Sequence, residues 1–186
     1  MGNRKTIHDK FNAILDISIN YKLPRFKELP DFELYMDQVI GVMDKYLSLY
    51  KPLLDGKVIT PSIINNYVKL KIIPPPKAKK YSKEHLAYLI VICILKQTLS
   101  IKTISDMINL GLETADVETL YNSFCNSYEK VLKSAADDAK QYVDLPKEKL
   151  YSAYSALTMR SAASSTVGRF ICENVIAFNE QQKEEQ

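Results

Sequence analysis

Ser62, Asn65, Asn66 and Lys69 fall within an arc of about 100° when residues 60–70 are wound as a helix at ~100° per residue. Two amides, a hydroxyl and a cation on one narrow face suit contact with a nucleic-acid duplex. Asparagine can pair bidentately with adenine in the major groove, and lysine can bond guanine or a phosphate. Ile63, Ile64, Tyr67 and Leu70 group on the opposite side as an apolar back. The helix itself is well signalled. Thr60 offers a capping hydroxyl, and Pro61 follows at the first turn, where no amide hydrogen bond is needed. Downstream, Lys71, Lys77, Lys79 and Lys80 flank the run Pro74-Pro75-Pro76, with Tyr81 behind them. Lysines so clustered are candidates for phosphate contact.

The net charge of +3 conceals this concentration. Residues 56–102 hold nine lysines and one acid, Glu84, and carry +8; the remaining sixteen basic and twenty-one acidic residues leave −5 elsewhere. A basic stretch of this kind is an electrostatic footprint for a polyanion, although lysine also serves simply as a solvated surface residue.

Other chemistries find no support. There is no Gly-rich phosphate loop and no nucleophile elbow. Cys93, Cys125 and Cys172 are odd in number and widely spaced, which excludes a disulfide framework and a CxxC metal knuckle. His8 and His85 stand alone, each read as a surface or packed histidine rather than a ligand or base. The expectation is a protein that is no enzyme and takes neither cofactor nor metal. Residues 1–10 are polar, and the longest apolar run, Leu86 to Leu95, is too short to cross a bilayer. A cytoplasmic protein without membrane association is expected.

The spacing of apolar residues is helical nearly throughout, so an all-α fold is predicted. One helix spans 6–21. Pro24 and Pro30 bracket an irregular stretch, and Asp31 is read as the cap of a helix to Tyr50, ended by Pro52 and the Asp55-Gly56 pair. After the helix at 60–70, the three prolines forbid helix. Ile72-Ile73 are read as a short strand and Lys79 to Tyr81 as its return, forming a small β-hairpin. Ser82 caps a helix through Gln97 that is apolar on every side and so belongs in the core. Ser100 caps a short helix to Leu110, with Gly111 as its stop. A long amphipathic helix follows over 114–143, and Pro146 starts a last helix to Asn179.

The residues TPSIINNYVKLKIIP (60–74), then Lys79-Lys80-Tyr81-Ser82 with Glu84, then 99–107, resemble the winged helix-turn-helix of MerR-type regulators. In that comparison Tyr67, Pro74, Lys79 and Tyr81 fall on the family's second tyrosine, proline, wing arginine and wing-end tyrosine. Asn65 and Asn66 replace its usual arginine and first tyrosine, and Lys71 stands where glycine is usual. LYMDQVI (34–40), INNYVK (64–69) and KKYSKEHLAYL (79–89) are similar to a bacterial family of unknown function, the DUF1836-type or YkrK-like family of MerR-like proteins. What these resemblances imply is a winged helix-turn-helix with a β-hairpin wing and a C-terminal helical segment.

On this reading residues 1–30 form an N-terminal helix and arm, and 31–111 the DNA-binding domain. Residues 112–179 form a helical region for dimerisation or regulation, and 180–186 a flexible tail. The expected function is sequence-specific regulation of transcription on double-stranded DNA by a homodimer. Its contacts would be Thr60, Ser62, Asn65, Asn66, Tyr67 and Lys69 on the recognition helix, and Lys71, Lys77, Lys79, Lys80 and Tyr81 on the wing. An unidentified small-molecule effector is a candidate further partner. The alternatives are a helical protein–protein interaction module and a small-molecule sensor that does not touch DNA.

Overall fold

The computed structural model describes residues 7–53, 58–142, 145 and 147–185. Among them are seven α-helices: α1 (Ile7–Asn20), α2 (Met36–Tyr46), α3 (Pro61–Lys69), α4 (Lys83–Leu95), α5 (Ile101–Leu112), α6 (Val117–Lys140) and α7 (Lys147–Glu184). Short 3-10 turns occupy Phe26–Glu28 and Ser48–Leu53. The helix-ending pair Asp55-Gly56, the helix start at Pro146, Lys57 and residues 1–6 lie outside the described residues.

The chain divides into two compact units, each built from two separate stretches. The larger is Leu23–Cys125 with Cys172–Gln186. At its centre is α4, whose residues Leu86, Leu89, Ile90, Ile92 and Cys93 are all buried. A helix that is apolar all round has no face for water, so it must be covered on every side. Helix α2 packs against both α3 and α4, and α5 packs against α4. Val39, Met43, Ile64, Tyr67 and Ile104 are the buried side chains these three helices contribute. Each such burial stabilises the fold by about 1.5–3 kcal/mol.

The smaller unit is Met1–Lys22 with Asn126–Ile171. Leu15 of α1 and Ala136 and Ala139 of α6 form its buried centre, with Phe11, Ile19 and Leu157 packed against them. The ring of Phe11 meets that of Tyr154 edge-on at 5.5 Å. Ion pairs tie the helices together: Lys140 to Asp16 at 2.5 Å, Arg160 to Asp138 at 2.5 Å, and Lys22 to Glu129 at 2.8 Å.

The expected β-hairpin wing is absent: no β-strand occurs among the described residues, and only the all-α part of the expectation stands. Lys77 and Lys80 meet in one isolated antiparallel bridge, with the Lys80 N–H donating to the Lys77 carbonyl at 2.8 Å. Tyr81 does not return to Ile72-Ile73. It exchanges hydrogen bonds with Leu34, at 2.9 and 2.8 Å, some fifty positions earlier in the chain. The reason is chemical. Pro74, Pro75 and Pro76 carry no N–H, so the outgoing arm of a hairpin here cannot sustain a ladder. Ile72 and Ile73 are instead buried as core residues.

Several helix boundaries also differ from expectation; α2 ends at Tyr46, and α7 continues to Glu184. Helix α2 begins at Met36, after Tyr35, whose N–H donates to the Gln38 side chain at 2.9 Å; Asp31 pairs instead with Lys83. Gly111 lies within α5 rather than past its end. A Cβ there would stand 3.0 Å from the Leu120 side chain, so glycine permits a close helix approach.

Candidate nucleic-acid interface

Helix α3 forms where the sequence places its start. Thr60 adopts extended backbone, its hydroxyl accepts the Ile63 N–H at 3.4 Å, and Pro61 opens the first turn. At the other end the Leu70 N–H donates to the Asn66 carbonyl at 2.9 Å, and Lys71 turns into the left-handed region at φ 58. Ile64 and Tyr67 are buried. Ser62, Asn65, Asn66 and Lys69 are all exposed, so the amide, hydroxyl and cation groups stand together on the water side of a helix anchored from behind. Leu70 departs from the expected apolar back and is 53% exposed.

Two expected contact residues are turned inward. Tyr67 and Tyr81 are 4% and 3% exposed, so neither offers its ring to an external partner. Burial, followed by the neighbouring Cys93 thiol, pushes the Tyr67 phenol up to about 12; burial also raises that of Tyr81. Both are neutral packing residues. Thr60 is half-buried and occupied as a cap.

The basic segment sorts into engaged and outward-facing cations. Lys83 pairs with Asp31, Lys102 pairs with Asp106 at 2.8 Å, and Lys96 donates to the Val58 carbonyl at 3.4 Å. Lys80 is half-buried, with its ammonium 5.5 Å from the centre of the Tyr35 ring. Lys69, Lys71, Lys77 and Lys79 are exposed and make no ion pair among the described residues.

The lysine turn is held by His85, read from the sequence as a surface or packed histidine and buried in the structure. The Ser82 backbone N–H donates to Nδ1 of His85 at 3.0 Å, which makes Nδ1 the acceptor and places the proton on Nε2. Nε2–H then donates to the Pro74 carbonyl at 3.1 Å. Buried His85 thus clips the entry to the turn onto the first turn of α4. Burial lowers its pKa, against the opposing pull of the Pro74 carbonyl. Glu84, which accepts the Ser82 hydroxyl at 2.5 Å, has its pKa lowered by that bond. The spacing Ser82-x-x-His85 is that of a capping box, and was the available signal. Ala78 and Lys79, at φ 48 and 63, make the turn itself with left-handed backbone.

Among the described residues no three His, Cys, Asp or Glu side chains gather into a metal-sized group, and no helix is long and apolar enough to cross a membrane. The larger unit also contains an apolar cavity of about 200 Å³, lined by Val91, Met107, Ile108, Leu120 and Phe124 among others.

These features define an all-helical protein whose larger unit presents an outward face of amides and lysines. Residues 24–130, more than half of the chain, match the family described as Domain of unknown function (DUF1836), and the chain belongs to that family. No curated protein and no solved structure matches it.

Proposed function

We propose that this protein is a cytoplasmic DNA-binding regulator of transcription, in which α3 enters a major groove. The observation that carries this reading is the exposed face of Ser62, Asn65, Asn66 and Lys69 on a helix whose other side is fixed in the core by Ile64 and Tyr67. Side chains on such a helix are held in place for base edges, and base-edge contacts carry sequence preference. Lys71, Lys77 and Lys79 are the phosphate contacts of the proposal, made from the turn without a wing.

One helix and a turn bury too little surface for tight, specific binding, so the proposed regulator is a homodimer on a palindromic site. Support comes from α7, where Met159, Val167, Phe170 and Ile171 are all more than half exposed. Ala162, Ala163, Ser164 and Ser165 between them leave room for a second helix to approach.

Selection of bound sequences from random duplex DNA, followed by gel retardation, tests the reading. The expected result is a two-fold-symmetric site whose binding is lost in the Asn65→Ala, Lys69→Ala double variant. Absence of binding at low salt, or binding indifferent to that variant, overturns it.

A further inference from the structure

The bases that α3 can read follow from the groups its exposed face carries and those it lacks. Ser62, Asn66 and Leu70 are spaced four apart and are all exposed, so they form one row along the helix. Leu70 caps α3 with near-helical backbone, at φ −78 and ψ 1, and so continues that row; Lys71 then turns the chain away at φ 58. An exposed leucine by itself says little. This one, 53% exposed, is the apolar end of a row whose other members are an amide and a hydroxyl. Asn65 and Lys69 stand in the neighbouring row, also exposed.

The bases differ in what they present in a major groove. Adenine offers the N7 acceptor and an N6–H donor, which one asparagine amide satisfies together. Thymine offers its methyl group, which takes apolar contact. Guanine offers two acceptors, best met by the fork of arginine, and cytosine offers a donor that suits a carboxylate. Residues 60–71 contain two asparagines and no arginine, aspartate or glutamate. The whole larger unit has a single arginine, Arg25, whose Nη1 donates to the Leu23 carbonyl at 2.9 Å. Lys69 is the one cation on the face, so guanine has at most one reader of that kind.

We infer that α3 reads a half-site of A·T pairs, in which Asn65 and Asn66 each take an adenine and Leu70 meets the methyl group of a thymine. The inference rests on the proposed entry of α3 into a major groove and adds which sequences it selects there. Four residues of helix rise about 6 Å, and stacked base pairs are about 3.4 Å apart. The adenine of Asn66 and the thymine of Leu70 therefore lie about two base pairs apart.

Substituted duplexes test this on the full chain. In a duplex selected by the native protein, each thymine is replaced in turn by deoxyuridine, which lacks the methyl group. Each adenine is replaced in turn by 7-deazaadenine, which lacks the N7 acceptor. Both keep Watson–Crick pairing. Deoxyuridine at one thymine of a half-site is expected to weaken binding about fourfold, the value of one buried methyl group. 7-Deazaadenine about two pairs away is expected to weaken it about fivefold, the value of one hydrogen bond. Leu70→Ala should remove the first sensitivity and keep the second, and Asn66→Ala should do the reverse. Three results overturn this inference while leaving α3 a reader of DNA: selected half-sites built of G·C pairs, a bound duplex indifferent to every deoxyuridine, or a methyl sensitivity that survives Leu70→Ala. Failure to bind any duplex overturns the reading of α3 itself, and this inference with it.

Discussion

His85 donates its Nε2–H to the carbonyl of Pro74 across 3.1 Å, and through that bond the lysine turn is fastened to the core helix α4. Its other nitrogen, Nδ1, accepts the Ser82 N–H at 3.0 Å, and that second bond requires a neutral imidazole. A protonated ring loses the acceptor and meets the Ser82 donor with another donor. Burial holds its pKa below the usual 6.5, against the Pro74 carbonyl and the neighbouring Glu84, which favour the charged ring.

Stability is therefore expected to depend on pH through this residue. Between the lowered folded pKa and 6.5, the unfolded chain binds the proton that the folded chain refuses. Stability from this group is thus fully present above about 6.5 and is lost as pH falls through that window. Urea midpoints measured from pH 7.5 to 5 should fall for the native chain. His85→Gln should flatten the decline, since glutamine can accept the Ser82 N–H without titrating. Equal slopes in the two proteins would exclude the clip as the cause.

Asn65→Ala with Lys69→Ala should separate binding from folding. Both side chains are exposed, so unfolding free energy should move by no more than about 0.5 kcal/mol. On a selected duplex, loss of one phosphate-contacting lysine should lower the slope of log affinity against log salt by about one. Lys69→Ala alone should show that change in slope if its partner is a phosphate, and an unchanged slope with relaxed sequence preference if its partner is a base.

The parts of the fold that were legible are those specified by neighbouring residues. Thr60-Pro61 dictates where α3 starts, and the apolar run from Leu86 marks α4 as central. The turn was misread because its pairing is not local. Tyr81 bonds to Leu34, and nothing in the sequence around Tyr81 names that partner. The prolines at 74–76 carried the contrary signal, since residues without N–H cannot hold a ladder. Likewise Asp31 has the right chemistry for a cap, yet Lys83 takes its carboxylate. The polar face of α3 follows from helical period alone, whereas the burial of Tyr81 depends on contacts between distant segments.

Lys71 closes α3 in the left-handed region, at φ 58. A non-glycine residue there costs about 1–2 kcal/mol, while glycine regains freedom in the unfolded chain worth about 0.5–1 kcal/mol. Lys71→Gly should accordingly leave stability unchanged or raise it slightly, and on the proposed function should weaken DNA binding without disturbing the helix. Lys71→Val, β-branched at the same angle, should lower the urea midpoint clearly. If Lys71→Gly destabilises as Lys71→Val does, the lysine stem and not its backbone angle is what matters at this position.

Thr60→Ala removes the hydroxyl that accepts from Ile63. Caps of this kind contribute typically about 1 kcal/mol, and the 3.4 Å separation places this one at the weaker end, about 0.5 kcal/mol. Because Thr60 is half-buried and spent on the cap, its effect on DNA affinity should follow helix stability alone. Thr60→Ser should restore both. Affinity lost in Thr60→Ser at unchanged stability would mean that the methyl group meets the duplex.

Gly111→Ala sets two effects against each other. Alanine inside a helix is favoured over glycine by about 0.5–1 kcal/mol. The added Cβ would lie 3.0 and 3.1 Å from the two terminal carbons of Leu120, closer than ordinary contact. Those carbons are the ends of a flexible side chain, and Leu120 borders the apolar cavity of about 200 Å³, so it has space to turn away. A shift between staggered rotamers avoids the roughly 0.5–1.5 kcal/mol that an off-rotamer angle would cost. The propensity gain should win, raising the unfolding free energy by about 0.5 kcal/mol. Gly111→Val, whose branched carbons reach further, should reverse the sign. A lowered midpoint in Gly111→Ala would show that Leu120 is fixed against the glycine backbone and that the cavity beside it does not yield.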